Sequence, residues 1–587
     1  MRERMRMASG WDEASLHAQA GGRWAERGPV ARADTATLIE PPLEVDDPES
    51  VEWSESADVV IVGWGAAGAC AAIEARTRGA SVIVVDRFEG GGASALSGGV
   101  VYAGGGTPYQ RSAGFEDSPQ AMFDYLRREV NGVVADETLH RFCGDSAANL
   151  AWLEQNGARF DATMPLQKTS YPPDGCYLYF SGNEVVPAYA GAHAPAPRGH
   201  RTLARGQAGA TLYAALREGT LRAGARTLTQ TTVRRLVRER KSGRIVGVEI
   251  WQLPPGQACT REHARLNAKA NRWRNWRAGA AEQCRREAAA IEQNEARARL
   301  VRANRAVVLA TGGFVFNRAM IKQHAGKYAR GWKNGHAGCD GSGIRLGQSV
   351  GGAAERLELV SAWRFITPPY SWPKGIVVNA RGERFCNEQV YGATLGHAMV
   401  EEQGGKAWLV LDARLRRQAL RECLFGGLWA FQALPAIGLM LFGARKAASI
   451  EVLAARIGAD PALLARCVAR YNEAAAGRAE DEQGKSPDMR QALARAPFYA
   501  LDVSIGSPLL PLATITLGGL RVNEADGHVR DTQGRDVPGL FAAGRTAVGV
   551  ASSRYISGLS LADCVFSGRR AGAAAATQAQ AWGASKA

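Results

Sequence analysis

Residues 58–86 read DVVIVGWGAAGACAAIEARTRGASVIVVD, and this stretch decides the fold. DVVIV is a short β-rich apolar run, the alanine-rich middle has helical character, and SVIVVD is a second strand. Strand, glycine turn, helix and strand make a βαβ unit, which requires a parallel sheet. The turn is Gly63-Trp64-Gly65-Ala66-Ala67-Gly68, the spacing G-x-G-x-x-G. Gly63 permits the tight turn, Gly65 lets the backbone approach a pyrophosphate, and Gly68 lets the helix lie against the strand. The helix N-terminus, at Ala66 and Ala67, offers unpaired N–H groups and its positive dipole end to that anion. Asp86 closes the second strand, followed by Arg87, and is placed to accept hydrogen bonds from ribose hydroxyls. A dinucleotide site is expected here.

Four further signals extend outward from it. The first is the loop from Glu89 to Gly99 (EGGGASALSGG), where backbone must pass close to a large planar group and Ser94, Ser97, Gly98 and Gly99 are cofactor-binding candidates. The second is Ala310-Thr311-Gly312, a strand running into a glycine turn, and the third is Gly544-Arg545 after GLFAA. The fourth is Gly558-Leu559-Ser560-Leu561, opening the last helix, whose N-terminus could face the flavin edge that gains negative charge on reduction. Val233 is counted with the cofactor-binding set. Together they favour FAD over NAD.

Lys and Arg outnumber Asp and Glu by 72 to 57, a net charge of +15, but residues 261–305 hold twelve cations against five Glu and supply nearly half of it. That segment is helix-forming and lies between strands at 243–253 and 305–310, so a helical insertion over 258–300 at a hairpin tip is expected. Nucleic-acid binding is a weak alternative, resting on the interleaved Trp273 and Trp276. Ten scattered cysteines without a C-x-x-C pair point to a reducing, cytoplasmic setting and give no sign of a metal or iron–sulfur site. Residues 1–45 read as a disordered extension, and no secretory leader is visible in them. Residues 423–444 (CLFGGLWAFQALPAIGLMLFGA) carry no charge, and Arg421, Arg445 and Lys446 flank them. The length could span a bilayer, but Pro435, Gln432 and four glycines argue for a broken hairpin or apolar lid instead, with peripheral contact to the inner face of the membrane as one outcome.

Sheet chemistry resumes at 511–522 and 538–545 after a helix-richer stretch. One split domain with an insertion is expected: an FAD-binding part over 50–315, a cap over 316–505, and a second FAD-binding part over 506–580. The fold class is α/β, a split Rossmann-like domain with an inserted α+β catalytic cap.

The motifs VIVGWGAAGACAAIEA (60–75), SALSGGVVYAGGGTP (94–108), LYFSGNE (178–184), APAPRGH (194–200), VVLATGGF (307–314), TLGGLR (516–521), GLFAAGR (539–545) and YISGLSLADC (555–564) carry a resemblance. From about 50 to 580 the chain resembles the fumarate reductase/succinate dehydrogenase-like FAD flavoproteins, and among them the 3-ketosteroid dehydrogenases of the Δ4-(5α) type. The resemblance implies noncovalent FAD, an active site between the two domains, a steroid or other alicyclic ketone as substrate and an external electron acceptor. It also implies roles for Tyr555 at the carbonyl oxygen and Ser557 at the departing proton. A serine alone is a poor base and needs a partner. The tyrosine that assists in the family corresponds here to Phe316, which leaves Tyr179, Tyr391 or a water to substitute. Gly518 and Gly519 complete the expected substrate pocket. Arg384 occupies a cap segment like that from which fumarate-reducing relatives draw an acid. A Δ1-dehydrogenase, a reductase of activated double bonds and a flavoprotein with a binding role stay open at this stage.

Overall fold

The computed structural model describes residues 35–579 except 190 and 192. The main sheet has Glu55–Val62 at its centre, with Val82–Val85 and Arg226–Leu228 parallel on one side. On the other side lies Arg297–Leu309, thirteen residues that pair with the central strand and with two further strands on their far edge. Its first half pairs antiparallel with Ile245–Gln252, and its end pairs parallel with Asp536–Ala542. The chain therefore returns to close the sheet after the long insertion, as the recurrence of strand-like runs after residue 505 implied. Val59, Val60 and Ile61 are all fully buried, because helices cover both faces; this is why the run is continuously apolar rather than alternating. Two helices, Ala66–Thr77 and Leu559–Thr577, touch backbone to backbone across small residues; a Cβ on Gly572 would lie 2.3 Å from Ala71 O.

The cap is built on an antiparallel sheet of Ile376–Val378, Trp408–Leu411, Phe498–Asp502 and Arg445–Ala447, with its own core around Leu409, Leu453 and Leu464. Arg384 is buried inside it, paired with Glu388 at 2.7 Å and Asp481 at 2.6 Å, while Lys485 Nζ lies 2.7 Å from Glu388. An arginine so committed is a structural cation, not an acid at a substrate.

Two expectations change. Residues 1–34 of the expected disordered extension lie outside the described residues, but the rest of it is built into the fold. Leu43–Val45 adds a parallel edge strand to Thr231–Glu239, and Thr37 N–H donates to Asp340 Oδ2 at 2.7 Å. Second, Met320, Ile344, Leu346, Val350 and Leu357 share the main sheet's core with Val60 and Val307, so the chain stays with that core well past residue 315. The uncharged stretch is broken, as expected: it forms the end of helix Ala413–Phe425, helix Ala430–Gly438 with Pro435 inside it, and a wider turn at Leu439–Gly443. Among the described residues no helix is long and apolar enough to cross a membrane. The basic insertion is a helical hairpin, Ala258–Trp273 and Ala278–Glu295, between the strands expected to hold it.

Candidate active site

A cavity of about 930 Å³ runs along the carboxyl ends of the main-sheet strands and under the cap. Gly63, Gly65, Ala66 and Ala67 line one end of it, with Asp86, Arg87 and Val233 beside them. Gly68 lies beneath rather than on the wall, where a Cβ would sit 1.9 Å from Gly63 O; it permits the helix to seat against the turn. Asp86 is oriented by two backbone donors, Trp64 N–H at 2.7 Å and Phe88 N–H at 2.8 Å. Burial, only partly offset by those donors, raises its carboxyl pKa above the ordinary range. Ser94 Oγ accepts from Ala66 N–H at 3.1 Å and so ties the second glycine loop to the helix N-terminus.

Further along, the wall is formed by Ser97, Gly98 and Gly99, then by Ala310, Thr311 and Gly312, and then by Gly544 and Arg545. Gly558, Ser560 and Leu561 bring in the N-terminus of the last helix. Gly558 caps that helix at φ 91, and a Cβ there would meet Tyr102 N at 2.7 Å, so a side chain would be both strained and crowded. Arg545 Nη1 is buried without a hydrogen-bond partner among the described residues, while Nη2 reaches only Cys339 Sγ at 3.6 Å. A buried guanidinium nitrogen left unmatched on a cavity wall fits an electron-rich group such as the pyrimidine edge of a flavin.

The hydroxyl groups cluster beside this end. Tyr179 Oη and Ser557 Oγ are 3.0 Å apart, and the Tyr391 phenol is near enough for Ser557 to favour its charged form. Burial pushes both phenols above the usual tyrosine range. Ser181 fixes the serine's backbone: Ser557 N–H donates to Ser181 O at 3.3 Å, and Ser181 Oγ donates to Ser557 O at 3.1 Å. Tyr555 lies against Trp363 with ring centroids 4.9 Å apart. Its phenol is pushed up to about 12 by burial, against the opposing charge of Arg545. Tyr391, Tyr555 and Ser557 line the cavity, and Tyr179 stands directly behind Ser557.

Phe316, Gly518 and Gly519 are not on that wall. The Phe316 ring sits in a separate cluster with Val315 and Cys339, between the Arg285 guanidinium at 4.9 Å and Lys333 Nζ at 5.4 Å. Position 316 therefore has no proton to relay, and Tyr179 and Tyr391 hold the place beside Ser557. Gly518 and Gly519 are packing glycines, where a Cβ would lie 2.2 Å from Arg356 O and 2.6 Å from Thr546 O. Trp429 and Phe431, from the uncharged stretch read as an apolar lid, form part of an apolar wall of the cavity; sequence reasoning missed the rest of that wall, Tyr171, Trp363 and Phe365, which had no local signal.

These features define a flavoprotein, and the comparisons agree. The chain belongs to the FAD binding domain family, whose model matches residues 58–561, and it is an FAD-dependent oxidoreductase. It is 52% identical, over 86% of its length and 95% of the relative's, to the 3-oxo-5-alpha-steroid 4-dehydrogenase of Comamonas testosteroni. Among solved structures it resembles the 3-ketosteroid-delta4-(5alpha)-dehydrogenase of Rhodococcus jostii RHA1, in complex with 4-androstene-3,17-dione. The identity is 30% and the TM-score 0.77, covering 92% of this chain and 100% of that one. The 3-ketosteroid delta1-dehydrogenase of Sterolibacterium denitrificans shares the fold at 20% identity and TM-score 0.62, over 89% of this chain and 99% of that one.

Proposed function

We propose that the protein desaturates a 3-keto-5α-steroid next to its ketone, giving the Δ4-3-ketosteroid, and that the contact of Ser557 with Tyr179 and Tyr391 carries the proton. Tyr555, protonated at any ordinary pH, donates to the carbonyl oxygen and stabilises the developing enolate as an oxyanion hole does. Ser557 takes the alpha proton while its own proton passes to Tyr179 or Tyr391, whose phenol proton moves on in the same relay to water; the tyrosine stays neutral, and the relay overcomes the weakness of a lone serine as a base. Bound here, FAD would supply the acceptor for the beta hydrogen and a route for its electrons to an external acceptor. Gly63 to Ala67, Asp86 and Arg545 are the groups we assign to holding it. The aromatic wall of Trp363, Phe365, Trp429 and Phe431 suits a lipid-like ring system rather than a dicarboxylate, which disfavours fumarate-like reduction. Incubation with 5α-androstane-3,17-dione and an electron-accepting dye tests the assignment: loss of two hydrogens with a new 4,5 double bond is expected, and a 1,2 double bond would refute it.

We further propose that the cap rests on an anionic lipid surface. Phe425 (84% exposed), Phe442 (83%), Leu424 (61%), Leu434 (54%) and Leu441 (50%) crowd the segment whose Trp429 and Phe431 line the cavity. Arg421, Arg445 and Lys446 are exposed beside them. Apolar side chains ringed by cations match an anionic interface. Sedimentation with anionic vesicles that is lost in the triple variant Phe425→Ser, Leu441→Ser, Phe442→Ser, with flavin content unchanged, is expected; no sedimentation of the wild type at low salt would refute docking.

A further inference from the structure

The helical hairpin Ala258–Glu295 is fixed to the adenosine end of the cavity. Its helices pack on each other through Leu266, Ala270, Cys284 and Ala288. Glu292 accepts from Arg87 Nε at 2.9 Å and lies 2.9 Å from His263 Nε2, while Arg87 Nη1 reaches Asp340 at 3.0 Å. His263 stacks on Phe88 at 5.5 Å, two residues beyond Asp86, and Asn267 bonds both Glu89 and His336 at 3.1 Å. Trp273 is held between Lys269 at 4.6 Å and Arg277 at 5.2 Å, so it is not a platform free for bases.

This anchoring brings Arg274, Asn275, Trp276 and Ala278, the turn between the helices, onto the cavity wall. Arg274 is partly buried, donates to Asn271 O at 2.9 Å, and forms no ion pair among the described residues. Its charged neighbour is another cation, Arg285, and burial together with that repulsion lowers its pKa. Arg285 has Glu282 at 3.2 Å, and Lys333 nearby is likewise lowered by burial first. An uncompensated cation on a partly dry wall is costly unless an anion joins it. The same cavity holds the helix N-terminus at Gly65 and Ala66, which is built for a diphosphate.

We infer that the hairpin is a cover for the adenosine-diphosphate half of FAD, with Arg274 as a direct ligand of the diphosphate. The inference rests on FAD occupying this cavity. Losing a charged hydrogen bond of this kind predicts flavin release from the holoenzyme faster by about 10–100-fold. Release is read as the rise of free-flavin fluorescence after dilution. Arg274→Gln should show that acceleration, Arg274→Lys should stay within a few-fold of wild type, and Arg272→Gln, an exposed cation of the same helix, should not change it. Added salt should speed release in the wild type more than in Arg274→Gln. Wild-type release from Arg274→Gln overturns the inference, and so does Arg274→Lys releasing as fast as Arg274→Gln, since packing rather than charge would then be at work. A wild-type protein that purified without flavin would instead overturn the FAD assignment beneath it.

Discussion

Two glycines three residues apart in one turn, Gly65 and Gly68, should fail in different ways. An added Cβ at Gly68 would lie 1.9 Å from Gly63 O, which is backbone. A carbon and a carbonyl oxygen approach comfortably to about 3.3 Å, so turn and helix must separate by more than an ångström. Gly63 cannot yield, because it holds φ +104 with Ala310 O 2.5 Å from its own Cβ position. Overpacking of this kind costs about 1–3 kcal/mol. A shift of about 1 Å in the N–H groups that face the diphosphate is expected to cost on the order of 100-fold in flavin affinity, by analogy with misplaced catalytic groups. At Gly65 the added Cβ meets only Ser94 Oγ at 3.6 Å and Gly91 O at 3.9 Å, ordinary contacts, and a larger side chain extends into the cavity. Gly68→Ala should therefore lower both the thermal midpoint without flavin and the flavin-to-protein ratio. Gly65→Val should leave that midpoint in place yet give colourless protein. Stoichiometric flavin in a folded Gly65→Val variant would refute the placement of the diphosphate.

Tyr555→Phe should slow flavin reduction by ~10²–10³ with flavin content unchanged, since one oxyanion donor is removed; a wild-type rate in stopped flow would move the donor elsewhere. Phe316→Tyr should leave that rate unchanged, because the position lies off the cavity wall; a gain in rate would show that the relay runs through 316 after all. Asp563 is 3% exposed, and burial raises its carboxyl from 3.8 to about 6. Its folded pKa is raised, so stability is greatest below the unfolded value and falls as pH rises through about 6, by roughly 2.2 × 1.36 ≈ 3 kcal/mol. Asp563→Asn should thus raise the thermal midpoint at pH 8 and change it little near pH 4; an equal shift at both would contradict the buried charge.

The dinucleotide half of the fold was legible because its signals are local. Glycine spacing, flanking apolar runs and the terminal Asp86 each follow from contacts within about thirty residues. The place of Tyr555 and Ser557 on the cavity wall was legible through the same last-helix motif. Most of the apolar wall was not: Tyr171, Trp363 and Phe365 come from distant segments, and only the tertiary packing brings them beside Trp429 and Phe431. Thr37 and Leu43–Val45 were read as tail because a three-residue parallel edge strand leaves almost no pattern. The boundary at 315 failed because Ile344 and Leu346 pack beneath the main sheet through a glycine-rich segment that gives no periodic cue.

Ser557, backed by Tyr179 and Tyr391, is expected to remove the proton that allows hydride to leave. Anaerobic mixing of the holoenzyme with 5α-androstane-3,17-dione tests this most directly. Bleaching of the oxidised flavin should be seen in the wild type, slow by orders of magnitude in Ser557→Ala, and slow further when Tyr179→Phe and Tyr391→Phe are combined than in either alone. Bleaching at the wild-type rate in Ser557→Ala, or bleaching only by a steroid that already carries the Δ4 bond, would contradict it.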